Sequence, residues 1–182
     1  EGLDWSAARE FAAGADRSER FVGLFSAQGL FERSHFLMGM EDAFCAYLEE
    51  PEEMADMLRE IADYKIAVLR EAARQFQPDV VFFQDDWGSK QNLFLPPTVW
   101  RELIKPLHAE IVATAHECGM LFVHHATTAV YRNRHGDRRV YCCIGCGQHF
   151  RKRFVECGYR PPSCPHLVHF FLCEKKGRML GK

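Results

Sequence analysis

Two groups of chemically capable side chains close two apolar runs. Val80-Val81-Phe82-Phe83 leads into Gln84-Asp85-Asp86-Trp87-Gly88, and Met120-Leu121-Phe122-Val123 leads into His124-His125. Carboxylates and imidazoles can exchange protons near neutral pH, hold metal ions and bind amines. Two adjacent carboxylates also repel, so Asp85 and Asp86 need a partner: a metal, a substrate amine or Arg33. The plainer reading is that they cap a turn, where Asp is a favoured residue. Successive strand residues face opposite ways, so only one of His124 and His125 can face the site. Trp87 and Gln91 would line the same pocket, Trp87 as a wall.

The two runs must be placed by what lies between them. Pro96-Pro97-Thr98 starts a helix whose apolar stripe is Trp100, Leu103, Ile104, Leu107, Ile111 and Ala115. Pro106 is expected to kink or split it, and Gly119 to stop it. A strand–helix–strand crossover is right-handed and returns to a parallel strand. Both polar ends would then share one rim, the carboxyl ends of parallel strands, where α/β folds keep their chemistry. Upstream, residues 5–17 read as a short helix weakened by Gly14. Residues 21–25 read as a buried strand, and residues 30–39 as a helix. Pro51-Glu52-Glu53 opens a long amphipathic helix carrying Met54, Met57, Leu58, Ile61, Val68, Leu69, Ala72 and Phe76. Gln77-Pro78-Asp79 ends it. The strand at 80–83 shows no alternation, as expected when both its faces are covered. The pattern is an α/β fold with a parallel sheet.

The chain has 182 residues and is 47% hydrophobic, enough for one packed domain. It contains no apolar run of about 18 residues, so no membrane partner is expected. It begins at Glu1 without a signal-type segment and reads as a fragment or a processed product. The net charge of −2 hides two unlike parts. Residues 1–126 hold 11 Lys and Arg against 22 Asp and Glu, a net of −11; residues 127–182 hold 12 against 3, a net of +9. Cys45 and Cys118 are isolated in the first part, as in a reduced cytoplasmic protein. The other six cysteines all follow Thr127.

Several phrases of the first part resemble the uroporphyrinogen decarboxylase superfamily: Gly29-Leu30-Phe31-Glu32-Arg33 with Met38-Gly39-Met40-Glu41, Phe83-Gln84-Asp85-Asp86-Trp87-Gly88, Trp100-Arg101-Glu102 with Lys105-Pro106, and Val123-His124-His125-Ala126. The resemblance covers about residues 1–126. It implies the middle of a (β/α)8 TIM-type barrel, with a Cys/His-rich basic tail after it. The superfamily includes decarboxylases of tetrapyrrole acetate groups, which use no cofactor. It also includes methyltransferases that pass methyl groups between corrinoid proteins and thiols. His124-His125-Ala126 and Asp85-Asp86 favour the methyltransferase branch, which implies a corrinoid protein as partner and a small-molecule substrate; tetrapyrrole decarboxylation is the alternative. Methyltransferases bind zinc through a His-x-Cys-Gly motif after the fifth strand. His125 matches the histidine, but Thr127 stands where the cysteine belongs. The resemblance places Asp85 and Asp86 where the family has polar active-site residues and implies His125 beside them as catalytic; His35, with Trp87, Gln91 and Arg33 from the residue pattern, completes the candidates as substrate-binding. His35 lies near where the decarboxylases place a tyrosine.

The tail supports two main readings. Cys143-x-x-Cys146-Gly147 resembles half of a zinc knuckle, which Cys157, Cys164, His166 and His169 would complete. Its metal ligands would then include Cys143, Cys146, Cys164 and His166. The preferred reading is that residues after Ala126 are not barrel sequence but the product of a frameshift, a splice variant or a fusion. No apolar periodicity indicates a core there. The net charge of +9 suits nucleic acid, but no binding module is recognisable, so a nucleic-acid partner is not expected.

Overall fold

In the computed structural model, residues 4–89, 92–126, 140–144 and 168–174 are described, the last two segments and Ala126 as backbone alone. The chain is a mixed α/β fold built on a parallel sheet. Strand β1 spans Arg20–Ser26, β2 Val80–Gln84 and β3 Leu121–Ala126. β1 pairs with β2 in parallel, and β2 with β3, with Val80 opposite Leu121 and Gln84 opposite His125. The expected strand–helix–strand unit is present, and its two polar ends share one rim.

Helix α1 is Ser6–Ala13, α2 Leu30–Met38, α3 Met40–Glu49 and α4 Pro51–Phe76. Gly14 caps the end of α1 rather than weakening its middle, with its N–H donating to Glu10 O at 3.0 Å. The long helix has the expected proline at its start and buries Met54, Leu58, Ile61, Val68, Leu69, Ala72 and Phe76. After β2 come a short helix α5, Pro97–Val99, a π turn over Trp100–Ile104, and α6, Lys105–Glu117. Pro106 lies in the first turn of α6 and has no N–H to donate. The wider turn just before it absorbs the missing hydrogen bond, and so the helix is split rather than kinked. Gly119, at φ +80°, closes α6. Met120 N–H donates to Ala115 O and Gly119 N–H to His116 O, the Schellman pattern.

The tail departs from expectation. Val140–Ile144 forms β4, parallel to β3, and Val168–Glu174 forms β5, antiparallel to β1. The sheet order is β4-β3-β2-β1-β5. An irregular tail is therefore corrected at these two segments. The outer edges of β1 and β3 carry rows of backbone N–H and C=O groups that must pair, and both tail segments are runs rich in β-branched and aromatic residues. The antiparallel β5 also departs from an all-parallel barrel.

The two faces of the sheet differ. Val22, Leu24, Val81, Phe83 and Phe122 join the helices in the main core. Val80 and Phe82 form a second cluster with Phe21, Phe25, Leu121 and Val123 on the opposite face. This alternation decides where each rim residue points.

Candidate functional site

The rim is assembled from the ends of β1, β2 and β3 and the first turn of α2. Asp85 continues the face of Val81 and Phe83 and so turns toward the helices. It is fully buried. Its carboxylate accepts the backbone N–H groups of Leu30 at 2.9 Å, Phe31 at 3.2 Å and Glu32 at 2.9 Å, and the indole N–H of Trp87 at 2.7 Å. Asp85 thus satisfies the free amides at the start of α2 from across the sheet. The expected partner of the carboxylate pair was a metal, an amine or Arg33; for Asp85 it is a helix end and an indole. Trp87 is correspondingly a core residue, packed against Trp100, His108 and His124, and not an open pocket wall.

His124 is buried on the same side, with Nε2 3.0 Å from Asp85 O. His125 takes the other face, half-buried and stacked on Phe82 at 5.7 Å. The two histidines thus face opposite sides of the sheet, as strand alternation requires. Asp86 is half-buried at the end of β2, on the same rim as His125. His35, half-buried, packs against Phe31 and Phe36, and burial lowers its pKa. Arg33 is half-buried on α2. Gln91, Cys146, Cys164 and His166 lie outside the described residues. The backbone of Cys143 is in β4, in register with His125. Among the described residues, no group of three metal-ligating side chains converges.

Two rim residues escaped the sequence reading. Glu32, in the first turn of α2, is 7% exposed and faces Gln84 Nε2 at 3.4 Å. Burial, together with the charges of Asp85 and Asp86, pushes its pKa up to about 7. Burial likewise raises Asp85 to about 6, against the pull of its N–H donors. Lys65 is buried on α4, with its ammonium donating to Ala27 O at 2.6 Å and facing Ser26 Oγ at 3.4 Å. Burial lowers its pKa to about 8. The signal for Lys65 was available: it falls four residues after Ile61 and three before Val68, inside the apolar stripe of α4. A lysine in such a stripe has its ammonium committed to a specific acceptor. Glu32 had no such signal, because acids are ordinary in a first helical turn.

These shifts make a testable statement about stability. Carboxyl groups whose pKa is raised on folding bind more protons in the native state than in the unfolded chain, so stability falls as pH rises. For Glu32 the affected window runs from its ordinary 4.5 to about 7, and for Asp85 from 3.8 to about 6. Lys65 stays charged below about 8 and leaves this window alone. The melting temperature is expected to rise as the pH is lowered from 7.5 to 5, and Glu32→Gln should flatten that rise. A melting temperature that falls steadily over this range would show that the two carboxyls are not raised. No protein-family model, no curated protein and no solved structure matches this chain.

Proposed function

We propose that residues 1–126 are the central part of a uroporphyrinogen-decarboxylase-type barrel, and that the parent protein is an enzyme of the methyltransferase branch. The observation that carries this reading is the parallel register of β2 and β3. It sets Gln84 opposite His125 and puts Asp86 on the same rim, in the order that the family phrases imply. The zinc that the branch uses does not fit this chain as described: His125 stacks on Phe82, Thr127 replaces the expected cysteine, and no further ligands converge among the described residues. The chain alone is therefore expected to transfer no methyl group from methylcobalamin to a thiol, with or without added zinc, and to decarboxylate no tetrapyrrole. Turnover of either kind would contradict this.

The family reading has its own test. The coding DNA is translated beyond codon 126 in the other two frames. A Cys-Gly followed by further strand–helix units is expected in one of them, and the frame-corrected protein is then assayed for methyl transfer. If neither frame continues the barrel, or the corrected protein binds no zinc, the methyltransferase reading fails.

A further inference from the structure

Glu32 has a requirement that its surroundings leave unmet. Its Oε1 faces Gln84 Nε2 at 3.4 Å, a long contact, and the Asp86 backbone N–H also donates to the carboxyl. Its Oε2 is buried and has no hydrogen-bond partner among the described residues. A buried carboxylate oxygen in that state is costly, and native structures rarely tolerate one. The buried ammonium of Lys65 donates to Ala27 O and faces Ser26 Oγ, and it makes no bond to Glu32 Oε2.

The chemistry of the neighbours selects the missing group. Asp85 and Asp86 act directly on Glu32, and the three acids outnumber Arg33 and Lys65 nearby, so an anionic ligand is disfavoured. A hydroxyl would satisfy the oxygen but leave the charge uncompensated. A metal ion needs converging ligands, which the described residues do not provide. An ammonium offers three donors and a compact positive charge. Gln84 follows Phe82 on the face away from the helices, beside half-buried Phe25, Val123 and His125. A ligand reaching Glu32 from that side meets apolar and aromatic surface first.

We propose that Glu32, with Gln84 and Asp86, forms a recognition site for an amine cation carried on an apolar or aromatic body. The Glu32 carboxyl turns toward the Phe25–His125 side to receive it. The proposal rests on the rim geometry and not on the family reading. It also implies a pH dependence. The groups around Glu32 are Asp85 and Asp86 at the end of β2, Arg33 on its own helix and Lys65 on α4. A bound cation favours ionised Glu32, so binding releases a proton from it and tightens between pH 6 and pH 8.

The test uses the full chain with three probes that share one body: benzylammonium, benzyl alcohol and benzoate. The carboxyl carbon of Glu32 is followed by 13C NMR. Benzylammonium is expected to move this resonance and to lower its titration midpoint by about one pH unit, while the other two probes do neither. Glu32→Gln should weaken benzylammonium binding at least about tenfold, whereas Glu110→Gln, on the exposed face of α6, should not. An equal response to benzyl alcohol, a Glu32 resonance unmoved by benzylammonium, or unchanged binding by a folded Glu32→Gln chain would overturn the proposal. If Glu32→Gln does not fold, the resonance of the parent chain decides.

Discussion

Asp85→Ala is expected to destabilise the chain by about 3–4 kcal/mol, among the largest effects of any single rim substitution. The substitution leaves three backbone N–H groups at the start of α2 and the Trp87 indole without their acceptor, all within a buried site. Each buried unmet donor costs roughly 1–3 kcal/mol, and the sum is moderated because a buried carboxylate with a raised pKa is itself expensive. Asp85→Asn keeps one acceptor oxygen and should lose about half as much. Urea unfolding followed by tryptophan fluorescence measures both, and the emission of Trp87 should change even before unfolding. A loss under about 1 kcal/mol for Asp85→Ala would mean that the carboxylate does not hold α2 in place, and would return Asp85 to the list of groups facing substrate.

Gly29→Ala should cost about 3 kcal/mol or more, through a different mechanism. A Cβ at Gly29 would lie 2.4 Å from both Cβ and Cγ of Asp85 and 2.6 Å from the Phe83 ring. Neither neighbour can retreat, because both are fully buried. The backbone cannot move away cheaply either, since Gly29 N–H donates to Gln84 O at 2.7 Å. Gly14→Ala is the natural control. Its Cβ would meet nothing closer than 3.6 Å, so a change within about 0.5 kcal/mol is expected. Thermal melts of the two variants side by side distinguish close approach from a general intolerance of lost glycines. Equal melting temperatures would show that the α2 start can shift off β2.

Much of the frame was legible because it rests on local rules. The stripe from Met54 to Phe76 has helical period, Pro51 suits a first turn, and Gly119 suits a left-handed stop; each is settled within a few residues. The parallel pairing of β2 and β3 follows from the helix between them and the known hand of such crossovers. The strands at Val140–Ile144 and Val168–Glu174 were not legible, since they show no periodicity of their own. They were decided by the edges of β1 and β3 that they pair with.

The rim divides in the same way. By itself the sequence determined which residue types gather there, and strand alternation separated His124 from His125. Only the tertiary structure decided that Asp85 serves the helix end while Glu32 carries the unmet oxygen. The bond between Asp85 and Glu32 spans 53 residues, and nothing near either one announces the other. The physical reason is that a carboxylate's role depends on which donors reach it and how much water is excluded, and both are set by distant parts of the chain.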